Sequence, residues 1–221
     1  VQPDAGSIAV RGRAPEPGAH AGFVFQSFRL LPWRTIRANV EFALESGDMD
    51  AAARRRRADQ YLDMVGLAGF KDSFPAALSG GMKQRVALAR ALAVEPEMLL
   101  MDEPFASLDA QTRELMQIEL LRLWEQRRSV VVFVTHSVDE AILLSDRIVL
   151  MKPRPGVVAE VLDVDLPRPR WSYDVRNLPQ FGQLRHYLWE RIKEMVLADS
   201  QSGFGRMRGA QTDQKSGASW D

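Results

Sequence analysis

Apolar residues along the chain first fall into short runs without alternation. Such runs are typical of strands covered on both faces in a parallel sheet. They lie at 7–10, 22–25, 98–101 and 130–135, and a closing strand pair is predicted at 147–152 and 157–162. The chain therefore predicts an α/β fold with 98–101 as a central strand.

Elsewhere, apolar residues recur at helical spacing. Helices are predicted at 36–44, 50–65 and 79–94, after Asp109, after Ser137 and beyond Phe181. Asp109 is a candidate N-cap, and Ser137 with Glu140 forms an S-x-x-E capping box. The helix after Asp109 is expected to bury Leu115, Met116, Ile118, Leu120 and Leu123. The last helix is expected to pack on the domain through Phe181, Leu184, Leu188, Ile192 and Met195.

Pro167 and Pro169 mark a predicted boundary between domains. The expected organisation is a main α/β domain at 1–165 with a helical subdomain at about 30–93, a helical extension at 166–199, and a disordered tail at 200–221.

Composition narrows the classes of function. Twenty-nine basic residues balance twenty-nine acidic ones, so net charge gives no drive toward nucleic acid or anionic lipid. The sequence has no cysteine, which excludes disulfides and thiolate metal sites. The basic run at 54–57 lies in a predicted helix, and a solvated face is favoured over a nucleic-acid patch. No apolar run approaches the length of a membrane span, so any link to a membrane is expected to run through a partner.

Polar residues follow two of the predicted strands at their carboxyl ends. Asp102 and Glu103 leave the central strand, and Gln26 leaves the strand at 22–25. Ligands bind at this edge of open α/β sheets. Two adjacent carboxylates on a dry strand are costly unless a cation or a reacting water uses them. A polar strand exit remains the plain alternative.

Two glycines also open the helix at 79–94. Ser79 is a possible N-cap, but Gly80 and Gly81 cost helix propensity and leave bare backbone N–H groups at the positive helix end, which suits a phosphate. Together, LSGGMKQR and MLLMDEP resemble the signature and acidic-strand motifs of the ABC family of ATPases. The resemblance covers residues 6–162 and implies a P-loop NTPase-like core.

The resemblance implies a role for each matching residue. Glu103 would be the general base, Asp102 and Gln26 would serve Mg²⁺, and Gln26 and His136 would orient the nucleophile and sense the terminal phosphate of ATP. The signature residues Ser79, Gly80, Gly81 and Gln84 would bind the ATP held by a second protomer, across a homodimer interface that the loop Ser107, Leu108 and Asp109 also crosses.

The phosphate-binding motif G-x-x-x-x-G-K-[ST] does not occur in the 221 residues. That loop supplies N–H groups, a phosphate lysine and one Mg²⁺ ligand. The sequence therefore predicts a domain whose N-terminal part is missing and a chain that is inactive alone.

Less specific sequence motifs suggest a subgroup within the ABC family. Pro32-Trp33, Met82, MDEPF and LPRPR resemble the importers for nitrate, sulfonate, taurine and related anions. That resemblance implies a transmembrane permease subunit as partner, which would dock at Phe28, Leu31 and Trp33. It also implies an indirect link to a periplasmic solute-binding protein. The subunit would then lie on the cytoplasmic face of the bacterial inner membrane.

Two rival functions remain open. One is an ABC ATPase of DNA maintenance, but its long coiled coil does not fit between Gln26 and Ser79. The other is a non-catalytic docking module, which the missing phosphate loop keeps in play.

Overall fold

A computed structural model describes residues 4–10, 12–14, 21–127, 129–152, 156–172 and 174–198. The predicted disordered tail at 200–221 and part of the predicted turn at 153–156 lie outside these residues. Contacts divide the chain into a first unit, Val1–Glu119 with Gln126–Val134, and a second unit, Leu120–Glu125 with Thr135–Asp221. The boundary predicted near residue 166 falls inside the second unit.

The first unit contains a three-stranded parallel sheet. Its strands are β1 (Ala21–Val24), β2 (Met98–Asp102) and β3 (Val130–Val134), in the order β1-β2-β3. This order confirms the predicted α/β fold with a central strand in the 98–102 segment. β2 buries Leu99 and Met101 on one face only.

Three predictions about strands are wrong. β3 is not buried, because its Val130, Val132 and Val134 lie on an open face of the sheet. Phe23 of β1 is exposed on the same face, so among the described residues the sheet is not covered on both faces as predicted. The strand at 7–10 does not form, since Val10 pairs only with Arg13 across a tight turn at Gly12, where φ is +78°.

Helices α1 (Ile36–Ala43), α2 (Ala51–Met64) and α3 (Gly80–Ala93) pack on one another in the first unit. Thr35, Asp50 and Ser79 cap them, each accepting a bond from a backbone N–H three residues later. Short 3-10 turns at Ala68–Phe70 and Pro75–Ala77 join α2 to α3. These three helices match the sequence prediction within a residue or two.

Helix α4 (Ala110–Arg127) contributes to both units. It buries Met116 and Leu120 as predicted, but Leu115 is 60% exposed, so the expected apolar face was drawn too wide.

The second unit contains α5 (Val138–Leu144), the antiparallel pair β4 (Arg147–Met151) and β5 (Val158–Asp163), a 3-10 turn at Val175–Asn177, and α6 (Pro179–Ala198). Its core includes Ile142, Ile148, Phe181 and Leu188. The predicted strand pair and the predicted packing of the last helix are both confirmed.

Arg170 organises the second unit, although it is charged and only 3% exposed. Its guanidinium donates to five backbone carbonyl oxygens, at 2.6 to 3.4 Å, in the last turn of α5 and in the chain after β5: Ile142, Leu143, Ser145, Val164 and Leu166. These carbonyls lie at a helix end or beyond a strand, where the backbone lacks ladder partners. One side chain therefore joins α5 to the exit of β5.

We expect Arg170→Met to lower the free energy of unfolding by about 3 kcal/mol, because several buried carbonyls lose their donor. Urea unfolding followed by circular dichroism measures this. Arg147→Met is the matched control, since Arg147 forms an exposed ion pair with Asp163 at 3.2 Å and should cost under about 1 kcal/mol. Equal losses in the two variants would contradict the assignment.

Candidate active site

The acidic pair and the glutamine lie at neighbouring strand ends in the first unit. Val24 of β1 pairs with Met101 of β2, so the two strands end at the same carboxyl edge of the sheet, where Gln26 follows β1 and Glu103 follows β2. Gln26 is exposed, and Asp102 and Glu103 are half-buried. Three of the predicted site residues thus lie at the carboxyl ends of adjacent strands.

The backbone at Glu103 is unusual, with a φ of +47°. Side chains other than glycine rarely adopt this left-handed conformation, and when they do it is often at functional sites. The Glu103 N–H donates to the Val134 carbonyl at 2.9 Å, which extends the β2–β3 ladder before the chain turns. Phe105, two residues later, is buried, and its ring centroid lies 5.8 Å from that of Phe133 in β3. This packing holds the turn against the sheet. No pattern in the sequence predicts this conformation.

The start of α3 lies against the loop that follows the acids. Ser79 Oγ accepts from the Met82 N–H at 3.3 Å, as predicted for an N-cap. A Cβ atom at Gly81 would lie 3.2 Å from the Ser107 carbonyl oxygen and 3.5 Å from Leu108 Cδ2. Any larger residue at position 81 would therefore press on the Ser107 backbone, which is a structural reason for glycine there in addition to any contact with phosphate.

The fourth signature residue differs from the other three. Ser79 and Gly80 are exposed and Gly81 is half-buried, whereas Gln84 is 1% exposed. Within the described part of the chain, its side-chain amide has no hydrogen-bond partner. Gln84 thus differs in burial from Ser79, Gly80 and Gly81, and its predicted contact with nucleotide stays a prediction.

The loop Ser107 to Asp109 is fixed at both ends. Leu108 is buried, and its carbonyl accepts from the Arg113 guanidinium at 3.0 Å. Asp109 Oδ1 accepts from the Thr112 N–H at 2.9 Å, which confirms the predicted N-cap of α4. This backbone hydrogen bond lowers the pKa of the Asp109 carboxyl below its usual range. Ser107 remains exposed.

His136 belongs to the second unit, where it is exposed just ahead of α5. Ser137 Oγ accepts from the Glu140 N–H at 3.3 Å, as a capping box requires. The return half of the box differs from the prediction. The Ser137 N–H donates to Thr135 Oγ1 at 3.0 Å, and the Thr135 hydroxyl donates to the Glu140 carboxylate at 2.7 Å. Thr135 is thus inserted into the box, and the bonds on either side of His136 hold its backbone.

The predicted docking residues lie in the loop after Gln26. Trp33 is 72% exposed, and Phe28 and Leu31 are half-buried. Phe28 approaches the start of α3, its ring 3.9 Å from where a Cβ of Gly80 would be. The sequence analysis missed Asn39 and Arg90, which hold this loop. Asn39 could have been noticed as a polar residue on the core face of α1.

The oxygen donors at the strand ends fit Mg²⁺. Among the described residues, no three His, Cys, Asp or Glu side chains are placed to hold a metal ion together. Mg²⁺ in nucleotide sites needs less, since one or two protein oxygens combine with phosphates and waters. Asp102 and Gln26 carry oxygens of this kind at the ends of adjacent strands, and their contact with Mg²⁺ stays a prediction.

Comparison with known proteins now adds to the geometry. The family described as "ABC transporter" matches residues 1–106. The nitrate import ATP-binding protein NrtD of Synechocystis is 43% identical over 185 residues, which cover 81% of this chain and 70% of that protein. The bicarbonate transport ATP-binding protein CmpC of Synechocystis is 45% identical over 187 residues, covering 83% of this chain but 28% of that protein.

A solved structure agrees with the fold. The ATP-binding cassette MJ0796, in a dimeric post-hydrolysis state bound to ADP and phosphate, matches at 39% identity with a TM-score of 0.61. The match covers 66% of this chain and 63% of that one. In the described part of this chain, no helix is both long and apolar enough to cross a bilayer. By its motifs, its sheet and its relatives, the chain belongs to the ABC transporter ATP-binding family, whose members bind and hydrolyse ATP.

Proposed function

We propose that this chain is the ATP-hydrolysing subunit of an importer for a small anion such as nitrate, a sulfonate or taurine. One observation carries the proposal: the parallel register of β1 and β2 sets the ends of the two strands at one edge of the sheet, where Gln26 follows β1, Asp102 ends β2 and Glu103 follows it. The relatives named for nitrate and bicarbonate import support the class of solute. LPRPR and Pro32-Trp33 support it from the sequence.

In the proposed reaction, water attacks the terminal phosphorus of ATP and the bond to the bridging oxygen breaks. Glu103 accepts the proton of the attacking water, and its left-handed backbone fixes the direction of its side chain. Gln26 orients the water through its amide. Asp102 and Gln26 would hold Mg²⁺, which neutralises charge on the phosphates when bound. His136 keeps the role given by resemblance, a hydrogen bond to the terminal phosphate.

The proposed assembly is a homodimer. Ser79, Gly80 and Gly81 of one protomer contact the nucleotide of its partner through bare N–H groups at the start of α3. Gln84 is the fourth signature residue of the same proposed nucleotide contact, and the loop Ser107, Leu108 and Asp109 crosses the interface. The dimeric state of MJ0796 supports this arrangement.

The proposed membrane partner is a permease that docks on Phe28, Leu31 and Trp33. An exposed tryptophan on a loop whose backbone is held by hydrogen bonds suits a binding anchor. The subunit would then lie on the cytoplasmic face of the bacterial inner membrane, and a periplasmic solute-binding protein would act through the permease. Nucleic acid is not an expected partner, given the balanced charge.

Testing hydrolysis requires the loop-bearing subunit, meaning residues 1–221 preceded by a phosphate-binding loop, natural or joined from a relative. In it, Glu103→Gln should lower ATP turnover by about 100-fold or more, because the shape stays and the base is lost. ATP should still bind and hold two protomers together. Phosphate release and molecular size in Mg-ATP measure both effects.

Glu97→Gln is the matched control, because Glu97 is an exposed carboxylate just before the same strand. It should leave turnover unchanged. Turnover of Glu103→Gln near that of the control would remove Glu103 from the role of base.

Trp33→Asp should weaken binding of the loop-bearing subunit to its permease by about tenfold or more, since a charge replaces an apolar anchor. Co-purification and titration with the detergent-solubilised permease measure this. Trp189→Asp is the control, because Trp189 is similarly exposed but lies on α6 in the other unit. If both variants bind the permease as well as the parent, the docking assignment is wrong.

The polypeptide of residues 1–221 by itself should neither bind Mg-ATP tightly nor turn it over. ATP is held mainly through its phosphates, and the motif that wraps them does not occur in these residues. Titration of a fluorescent ATP analogue and phosphate release test this. Micromolar binding with turnover that disappears in Glu103→Gln would contradict it.

A further inference from the structure

The segment at 27–34, here called the connector, links Gln26 to the N-cap of α1. It forms neither helix nor strand. Its position is functional on the proposal above, since Gln26 precedes it and Trp33 lies near its end. Irregular backbone of this kind must find hydrogen-bond partners outside a ladder. In this protein the partners are side chains of two helices.

Arg90, in the last turn of α3, holds the first half of the connector. Its guanidinium donates to the Arg29 carbonyl at 2.7 Å and to the Phe28 carbonyl at 3.1 Å. Arg29 has a left-handed φ of +44°, a conformation that must be stabilised by its surroundings. The Arg29 guanidinium also lies 4.0 Å above the ring centroid of Phe25, the residue just before Gln26. Arg90 therefore fixes the backbone three residues after the proposed catalytic glutamine.

Asn39, in α1, holds the second half. It is fully buried, and its Oδ1 accepts from the Leu31 N–H at 2.7 Å. Its Nδ2 donates to the carbonyls of Leu31, Arg34 and Thr35 at 3.0 to 3.1 Å. The amide thus uses both its acceptor and its donors on the connector. Trp33 lies between Leu31 and Arg34, both of which Asn39 contacts.

Helix α3 therefore has a different contact at each end. Its first turn carries the signature glycines, and Arg90 in its last turn, about 15 Å from them along the helix axis, bonds the connector. We infer that Arg90 is a positioning residue, which fixes Gln26 relative to α3 by holding the backbone at Phe28 and Arg29. This inference rests on the proposed function, because it assumes that Gln26 acts on the attacking water.

The choice of arginine follows from the geometry. A planar guanidinium presents several N–H groups in a fixed fork and can reach two adjacent carbonyls together. A lysine ammonium is a single point charge on a flexible stem and would hold one carbonyl less firmly. The conservative Arg90→Lys change should therefore restore only part of the effect.

The test is a double-variant cycle on the loop-bearing subunit. Arg90→Met should lower kcat for ATP by about 10-fold to 100-fold with little change in KM, since a misplaced catalytic group affects the chemical step. In a Gln26→Ala background the same change should cost nothing further, because residues that act through one another are not additive. Arg90→Lys should give a smaller fall that also vanishes in that background.

Arg85→Met is the matched control. Arg85 lies on the same helix and also donates to a backbone carbonyl, that of Val65 at 2.9 Å, outside the connector. Any loss it causes should persist in the Gln26→Ala background. Hydrogen exchange should be faster in peptides covering 27–35 for Arg90→Met than for Arg85→Met.

The outcomes separate the two proposals. A parent subunit that does not hydrolyse ATP would refute the proposed function, while hydrogen exchange still tests the connector. An active parent in which Arg90→Met keeps its kcat, or loses kcat equally with and without Gln26, would overturn the inference. If Arg90→Met does not fold, Arg90→Lys in the same cycle decides between these results.

Discussion

The parallel register between β1 and β2 is the constraint on which the candidate site depends. It sets the carboxyl ends of both strands at one edge, with Gln26 following β1 and Glu103 following β2. A slip of one residue would turn every side chain of a strand to the opposite face. Burial of Val24, Leu99 and Met101 opposes such a slip. The same burial that stabilises the sheet therefore fixes the polar groups at its edge.

Backbone carbonyls captured by side chains are a second recurring feature. Arg90 and Asn39 hold the connector, Arg113 holds the Leu108 carbonyl, Arg85 bonds the end of α2, and Arg170 holds α5 and the exit of β5. Each site is irregular backbone or a helix end, where ladder partners are missing. The irregular segments at the site are thus held by single side chains rather than by secondary structure.

This feature also changes the meaning of the LPRPR motif. Arg170 clamps carbonyls inside the second unit, and Arg168 donates to Asp146 at 3.1 Å and lies 3.9 Å above the Trp124 ring centroid. Both arginines therefore have a structural role that does not involve a solute. The motif is better evidence for the architecture of the second unit than for the transported anion, whose class rests more on the named relatives.

The sequence by itself determined the fold class, the three helices of the first unit, the closing strand pair and the last helix, because periodicity and capping residues are local signals. It also placed Asp102, Glu103 and Gln26 at strand ends. It could not fix the exposure of β3, since an apolar run does not state whether both faces of its strand are covered. Tertiary structure alone decided the left-handed turn at Glu103 and the hydrogen bonds from Arg90 to the connector. Each of these depends on a partner that packing brings close, and residues 61 or 62 positions apart, such as Arg90 and its carbonyls, leave no local pattern in the sequence.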